Sequence, residues 1–302
     1  MPWRDRLKRM KQEWDRMVSE PFARESSQQW SSQPPAVANS HVYWRPTFRP
    51  DVAVSLDWDA KIGNGWDGWG NQELEYYTAA PENAFYTHDG KLVIRAIANN
   101  ASPNPEQRYT SARLVSRQTL GRDKGVLTGV ILAPCAGGIW PAFWLLPQEP
   151  FSWPVDGEID IAETWNGDCE NRSCFHWGDD HEPQKHRVLG TKIPDLPSRP
   201  VRYDFAWDQA GQQQHGRMVW YIDGRPVMKA TTVEGMRPLR EFTILLNVAV
   251  GGSVCGGKTP AHGYYDMIVH SLFLASEPDY GGWDRFEADY KSHRTPFGNG
   301  YS

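Results

Sequence analysis

Three carboxylates lie within the seven-residue segment GEIDIAE at residues 157–163, in a stretch that is otherwise apolar. Carboxyl groups this close raise one another's pKa, so that one of them tends to keep a proton near neutral pH. Retaining hydrolysis of a glycosidic bond uses such a pair, because an ionised carboxylate attacks the anomeric carbon while a protonated carboxyl donates to the leaving oxygen. We therefore predict Glu158 as the nucleophile, Glu163 as the acid/base and Asp160 as the residue that orients Glu158.

A regular β-strand does not bring these three side chains together. Side chains alternate along a strand, so Glu158 and Asp160 share one face while Glu163 points to the other. One extra residue, a β-bulge, returns Glu163 to the same face and leaves Ile159 and Ile161 buried behind the row. A calcium site or a solvated polar edge is the alternative, although calcium loops are usually rich in Gly and Asn and lack alternating isoleucines.

The surrounding chain has the pattern of an all-β sandwich. From residue 41 onward, short β-branched and aromatic runs are broken by Gly, Pro, Asn and Asp, and no long helix is predicted. The predicted strands cover residues 91–98, 111–117, 125–133, 142–147, 158–164, 201–207, 218–224, 242–250 and 267–275. Asp223-Gly224 predicts a two-residue hairpin turn. We assign residues 41–275 to the sandwich and 276–302 to a polar, aromatic tail.

The first 40 residues have a different composition from the rest. Apolar residues recur at steps of four and three, which predicts an amphipathic helix over 1–24; they are Trp3, Leu7, Met10, Trp14 and Met17. Its first half is basic, so it can dock on a membrane surface or a partner protein, or pack against its own domain. Residues 25–40, rich in Ser, Gln and Pro, are predicted to form a flexible linker.

Composition narrows the range of partners. The net charge of −5 gives no support to nucleic-acid binding, which needs a basic surface. Fifteen tryptophans, 12 tyrosines and 11 phenylalanines supply aromatic faces on which sugar rings can stack. Four cysteines do not form a disulfide framework in a chain of 302 residues. A bridge between Cys169 and Cys174, in the predicted polar loop DCENRSC, is left open.

The chain resembles glycoside hydrolase family 16, in particular its laminarinase-like (endo-β-1,3-glucanase) branch. The segments that carry the resemblance follow in order: NQELEYYT at 71–78, ENAFYTHDGKLVIRA from 82, YTSARL at 109–114, GIWPAFWLLP at 138–147, WPVDGEIDIAE at 153–163, FHWGDD at 175–180 and LLNVAVGG at 245–252. The resemblance implies a jelly-roll, concanavalin-like sandwich of two curved antiparallel sheets. It also implies an open cleft whose partner is a β-glucan polysaccharide.

The resemblance further implies roles for individual residues. It places Asn71, Arg113, Trp140, Trp153, His176 and Asn247 in the substrate cleft, with the two tryptophans stacking on sugars and the histidine near the acid/base. Trp144, deep in an apolar run, is expected in the core. The implied activity is retaining endo-hydrolysis of β-1,3 or mixed β-1,3;1,4 linkages. A non-catalytic glucan-binding protein and a transglycosylase are the alternatives.

Four residues, at three places in the chain, depart from the pattern of the family. Val254 and Cys255 stand where laminarinase relatives usually carry a tryptophan, which removes one wall of the expected sugar site. Glu75 replaces a common glutamine, and we expect it to add negative charge at the cleft edge. His270 stands where relatives carry an aspartate that helps to hold structural calcium, which weakens the case for that ion.

Several further expectations concern cofactors, assembly and location. We expect no required cofactor and a monomer. No run of the sequence reaches the 18 apolar residues of a membrane span. The first residues lack the apolar core and cleavage site of a secretory signal. The sequence therefore predicts no compartment, although relatives in the family are usually extracellular.

Overall fold

Two β-sheets form most of the chain in the computed structural model, which describes residues 41–178, 185–210 and 215–301. The strands are β1 (Val42–Trp44), β2 (Trp58–Lys61), β3 (Tyr76–Tyr77), β4 (Ala84–Tyr86), β5 (Leu92–Ala98), β6 (Tyr109–Ser111), β7 (Arg113–Thr119), β8 (Lys124–Leu132), β9 (Ile139–Pro147), β10 (Glu158–Glu163), β11 (Glu170–Trp177), β12 (Lys185–Lys192), β13 (Val201–Asp208), β14 (Arg217–Ile222), β15 (Arg225–Thr231), β16 (Phe242–Val250), β17 (Gly263–Ala275) and β18 (Asn299–Tyr301).

Helical segments are few and short in the described part of the chain. There, one α-helix, α1, spans Gly282–Lys291. Single 3₁₀ turns occur at Val54–Leu56, Pro105–Gln107, Leu196–Ser198 and Leu239–Glu241, and a π-type turn occurs at Gly68–Gln72. Within the described ranges, no helix is both long and apolar enough to cross a membrane.

Each sheet is built almost wholly from antiparallel pairs. One sheet has the order β15-β14-β13-β8-β17-β5-β6-β3, with β1 added to β17 and β4 to β5. The other has the order β18-β12-β11-β10-β9-β16-β7-β2. Only β3 and β6 run parallel among these strand pairs. All nine predicted strands are present, and the predicted all-β sandwich is confirmed.

The core lies between the two sheets. Phe205 and Trp220 reach it from the first sheet, and Phe143, Ile159 and Ile244 reach it from the second. Each of these side chains is at most 1% exposed. Burying a large apolar side chain contributes roughly 1.5–3 kcal/mol, so the two sheets stabilise each other through this layer.

The predicted hairpin is confirmed. Ile222 pairs with Arg225 across the two-residue turn. Asp223 and Gly224 both have positive φ values, 46° and 73°, as a type I′ turn requires. The Asp223 carboxylate also accepts a hydrogen bond from the backbone N–H of Arg202, which ties the turn to β13.

The segment DCENRSC was predicted as a loop, and this was wrong. Its residues from Glu170 onward belong to β11, which pairs with β10 on one side and β12 on the other. Its charged side chains form ion pairs within the segment, because Arg172 pairs with both Asp168 and Glu170.

All four cysteines are free thiols. An extended strand advances by about 3.3 Å per residue, which carries Cys174 away from Cys169.

The tail from residue 276 contacts both sheets. Helix α1, which the sequence did not predict, packs Phe286 against Val126, Ala206 and Tyr221 on the outer side of the first sheet. Strand β18 extends the second sheet by pairing with β12. The amphipathic helix predicted over 1–24 and the linker predicted over 25–40 lie outside the described residues.

The expected bulge is present in β10. Asp160 pairs with Cys174 and Glu163 with Arg172 on β11, so three steps along β10 match two along its partner. Ile159 and Ile161 point into the core. From the opposite sheet, Trp220 donates its indole N–H to the backbone carbonyl of Asp160 at 2.9 Å. This hydrogen bond fixes the bulge from behind.

We predict that Trp220→Phe loosens the bulge. The variant keeps most of the aromatic packing but leaves a buried carbonyl without its donor, which costs about 1–3 kcal/mol. Urea unfolding should show this loss of stability, and hydrogen exchange should show faster exchange of the β10 amides. Trp207→Phe is the matched control, because Trp207 is equally buried and donates to the carbonyl of Arg122, away from β10. Equal exchange of the β10 amides in both variants would contradict the role given to Trp220.

Candidate active site

The outward face of the second sheet carries the carboxylate row. Glu158, Asp160 and Glu163 all lie on this face, because the bulge between Asp160 and Glu163 restores the side-chain direction. Asp160 is 2% exposed and Glu163 is 7% exposed, so the row is embedded in its surroundings. The three acids that the sequence singled out are therefore neighbours on one surface.

Two tryptophans donate hydrogen bonds to the two glutamates. Trp153 Nε1 donates to Glu158 Oε2 at 2.8 Å, and Trp140 Nε1 donates to Glu163 Oε1 at 3.0 Å. Each glutamate thus has one oxygen fixed by an indole. Trp153 is 41% exposed and offers an aromatic face to a ligand. Trp140 is only 8% exposed and packs edge-on against Trp165, so it mainly supports Glu163 from below.

The electrostatic environment separates the two glutamates. Burial, followed by the charges of Asp160 and Glu158, raises the pKa of Glu163 well above its usual value. Burial and Asp160 also raise the pKa of Glu158, to about 7, but His176, the Trp153 hydrogen bond and Arg113 oppose this rise. Glu163 is consequently the carboxyl that holds a proton more firmly, and Glu158 is the one that ionises first.

His176 lies directly beside Asp160. Its Nε2 atom is 3.3 Å from Asp160 Oδ2 and 3.2 Å from Cys174 Sγ. Burial opposes a charge on the ring, yet the contacts with Cys174 and Asp160 raise the pKa of His176 well above its usual value. The resulting positive charge lowers the pKa of both glutamates. The histidine therefore acts on the whole carboxylate row and contacts it through Asp160.

A hydrogen-bonded network forms the neighbouring part of this face. Asn247 accepts a hydrogen bond from Trp144 Nε1 at 2.7 Å and donates to Tyr77 Oη at 3.0 Å. Tyr77 in turn donates to Glu73, which also accepts from Asn71 Nδ2 at 3.0 Å. Asn247 is 5% exposed, so its amide holds this network in place. Asn71 is half-buried at the rim.

Arg113 lies between two indole rings. Its guanidinium carbon is 4.5 Å from the ring centre of Trp69 and 4.7 Å from that of Trp144. The expectation that Trp144 belongs to the core was wrong, because the alternation of β9 sends its neighbour Phe143 into the core instead. Arg113 and the two rings form a platform beside the carboxylates.

Sequence reasoning missed several residues of this surface. Trp69, Glu73 and Tyr77 were not singled out, and Cys174 was considered only as a disulfide partner of Cys169. The segment NGWDGWGNQ at 64–72 carried a usable signal, since tryptophans in a Gly-rich turn have no strand in which to be buried. Trp66 in that segment is 56% exposed.

The loop after β16 contributes no aromatic wall through Val254 or Cys255. Val254 is 1% exposed and Cys255 is 0% exposed. Both pack beneath the face in a cluster with Trp140 and Trp165. The part of the cleft that laminarinase relatives line with a tryptophan is therefore shaped by other groups in this chain.

Glu75 is not at the cleft edge, and the expectation that it adds negative charge there was wrong. Its side chain is fully buried, and its Oε2 atom accepts the backbone N–H of Val250 at 2.6 Å. Burial and the neighbouring Glu73 raise its pKa well above the usual value. Glu75 can stay buried beside Glu73 because the Glu75 carboxyl remains neutral.

The His270 side chain offers no oxygen ligand to calcium. Calcium binds through oxygen ligands, whereas the imidazole at this position is partly buried near Lys91 and Asp89. Lys91 and Asp89 pair with each other at 2.6 Å. Burial and the lysine charge lower the pKa of His270, and Asp89 opposes this shift.

We predict that Glu75→Gln stabilises the protein increasingly as pH rises. Glu75 is protonated in the folded state but ionised in the unfolded state above its usual pKa, so the wild type loses stability as pH rises from there to the raised pKa. The loss is about 1.4 kcal/mol per pH unit, or roughly 2–4 °C in Tm. The glutamine amide keeps the bond from Val250 and can donate to Glu73.

Thermal unfolding at several pH values from 4 to 8 provides the measurement. The Tm difference between Glu75→Gln and wild type should widen with pH. Glu287→Gln on α1 is the control, because Arg217 lowers the pKa of Glu287 and the variant gains nothing at higher pH. A Tm difference for Glu75→Gln that stays constant over this range would refute the buried neutral carboxyl.

The fold agrees with comparisons to known proteins. Residues 73–197 match the XgeA-like catalytic domain of glycoside hydrolase family 16. A β-glucanase of Rhodothermus marinus is 31% identical over 215 residues, which cover 65% of this chain and 70% of that protein. A glucan endo-1,3-β-glucosidase A1 of Niallia circulans is 28% identical over 75% of this chain, and the match spans 36% of the length of that relative.

The laminarinase catalytic domain of Thermotoga maritima superposes with a TM-score of 0.64 at 27% identity, over 79% of this chain and 98% of that domain. The chain belongs to glycoside hydrolase family 16.

Proposed function

We propose that this protein hydrolyses β-glucan chains internally and with retention of anomeric configuration, at β-1,3 or mixed β-1,3;1,4 linkages. The observation that carries the proposal is the bulge in β10, which brings Glu158, Asp160 and Glu163 onto one face. Membership of family 16 supports the reaction class. The relatives named as β-glucanases and laminarinases support the substrate class.

In the first step Glu158 attacks the anomeric carbon and forms a covalent glycosyl-enzyme. The bond from Trp153 fixes Glu158 Oε2, which leaves Oε1 as the attacking oxygen. Glu163 donates its proton to the leaving glycosidic oxygen. Its raised pKa suits it for this role, because the proton must still be present when the substrate binds.

In the second step Glu163, now ionised, takes a proton from a water molecule that attacks the anomeric carbon and releases Glu158. Asp160 lies between the two glutamates in the row and favours the protonated form of Glu163. His176 lowers the pKa of both glutamates, Arg113 lowers that of Glu158, and the charge of Glu158 raises that of Glu163, so Glu158 ionises more readily than Glu163 does. The two glutamates thus alternate between charged and neutral forms.

The substrate would lie along the aromatic part of the face. Trp153 is exposed enough to stack on a sugar ring beside Glu158. The Arg113 platform and Asn71 offer donors to sugar hydroxyls farther along. All of these groups belong to one chain, so the proposal needs no second subunit, and the acidic net charge gives no support to nucleic-acid binding. For the helix predicted over 1–24, docking on a membrane or partner and packing against its own domain both stay predictions.

Two alternatives use the same fold. A glucan-binding protein without activity would not need the three acids, and this chain retains all of them in register. A transglycosylase would use the same residues but resolve the glycosyl-enzyme with a sugar hydroxyl. Product size distinguishes hydrolysis from transglycosylation, because only the latter makes chains longer than the substrate.

We predict that the protein shortens laminarin and lichenan to oligosaccharides, with less action on xyloglucan. NMR of the first products should show the β-anomer before mutarotation. Early α-anomer would overturn the retaining mechanism, and binding without any cleavage would favour the glucan-binding alternative. Products longer than the starting oligosaccharide would instead identify a transglycosylase.

Variants of the same carboxylates complete the experiment. Glu158→Gln should abolish cleavage with the fold intact, and Glu163→Gln should slow it by about 10²–10⁴-fold. Glu287→Gln, on the outer helix α1, is the isosteric control and should retain activity. Wild-type cleavage by Glu158→Gln would remove Glu158 from the mechanism.

A further inference from the structure

Beside the carboxylate row, three side chains of different chemistry converge on one point. Carboxylate, thiol and imidazole atoms of Asp160, Cys174 and His176 all lie within 4.8 Å of one another. The Cys174 Sγ to His176 Nε2 distance is 3.2 Å, and the His176 Nε2 to Asp160 Oδ2 distance is 3.3 Å. All three residues are buried in this face.

Two of these three separations are close to the edges of a metal coordination tetrahedron. Zinc bonds to sulfur, nitrogen and oxygen measure about 2.0–2.3 Å, so tetrahedral ligand atoms lie about 3.3–3.8 Å apart. The two observed distances fall within a few tenths of an ångström of that range. The third separation, between the carboxylate of Asp160 and the sulfur of Cys174, is at most 4.8 Å.

The hydrogen bonding of Asp160 points to the same conclusion. Asp160 is only 2% exposed, and the contact of its Oδ2 atom with His176 Nε2, at 3.3 Å, is not a well-aligned hydrogen bond. Buried polar atoms are rarely left in this state, because each lost hydrogen bond is unfavourable. A cation bound to Oδ2 would satisfy its unused lone pairs.

The backbone holds the three ligands in place. Asp160 and Cys174 are direct cross-strand partners on β10 and β11. His176 follows two residues after Cys174 and therefore shares its face. A mixed sulfur, nitrogen and oxygen set suits Zn²⁺, whereas Ca²⁺ and Mg²⁺ prefer oxygen alone.

We propose that Asp160, Cys174 and His176 form an inhibitory binding site for Zn²⁺. Coordination exchanges the cation for the thiol proton of Cys174 and the Nε2 proton of His176, both of which pass to solvent. It also draws Asp160 away from its place between Glu158 and Glu163. The binding step stands on the geometry alone, while the inhibition rests on the proposed function.

Calorimetric titration of the full chain with ZnCl₂ tests the binding step. Wild type should bind one Zn²⁺ per chain, and Cys174→Ser should bind it at least about tenfold more weakly, since even residues behind the ligands change metal affinity by 10–100-fold. Cys135→Ser is the matched control and should bind like wild type. Binding that weakens in Cys135→Ser but not in Cys174→Ser would overturn the site.

X-ray absorption at the zinc edge tests the same site without a variant. The wild-type complex should show one sulfur ligand, with nitrogen and oxygen completing the shell. A shell without sulfur, or one with two sulfurs, would overturn the assignment. This measurement decides the matter even where Cys174→Ser fails to fold.

Glucan cleavage in the presence of ZnCl₂ tests the inhibition. Saturating Zn²⁺ should reduce wild-type cleavage at least tenfold, EDTA should restore it, and Cys174→Ser should need at least tenfold more Zn²⁺. Full cleavage at saturating Zn²⁺ would overturn the inhibition. A metal-free protein that cleaves no glucan would instead refute the proposed function, and the calorimetry and absorption data would still decide the metal site.

Discussion

The hydrogen bond from Trp220 to the carbonyl of Asp160 is the contact on which the rest of the site depends. It crosses the core from one sheet to the other and stabilises a backbone that has one residue too many for regular pairing. Without that extra residue, Glu163 would face the apolar interior, where a carboxyl without hydrogen bonds is strongly unfavourable. The core therefore positions the acids, and the identity of a buried aromatic residue has consequences on the opposite surface.

The face built on this bulge contains more acidic groups than it can ionise together. The repulsion between the carboxyls is limited because each has its own polar neighbour. Glu158 and Glu163 each accept a hydrogen bond from an indole N–H, and Asp160 lies beside an imidazole. Glu75 follows the other route and stays neutral beneath the surface. The charge pattern of the cleft thus depends on burial and donors as much as on the number of acids.

The sequence predicted those features whose residue pattern does not fit the regular alternation of side chains along a strand. GEIDIAE cannot place three acids on one face without a bulge, and Asp223-Gly224 permits few turns other than a tight hairpin. Where no such conflict exists, the prediction failed. The run AFWLLP is apolar on both faces, so nothing in it distinguishes Phe143 in the core from Trp144 in the cleft. The burial of Glu75 and the strand through Arg172 depend on neighbours distant in the sequence, which local pattern cannot show.

The place of Asp160 between the two glutamates also makes it able to bind a cation. A carboxylate that must adjust between two reacting glutamates cannot be saturated by fixed hydrogen bonds, so part of its bonding capacity stays open. Any cation-binding group placed opposite it can use that capacity. In this chain the cross-strand partner is Cys174, whose sulfur adds the soft ligand that an imidazole and a carboxylate lack. A serine or threonine there would lack this sulfur ligand and weaken the affinity for zinc, so the residue at position 174 sets the sensitivity of the site to metal.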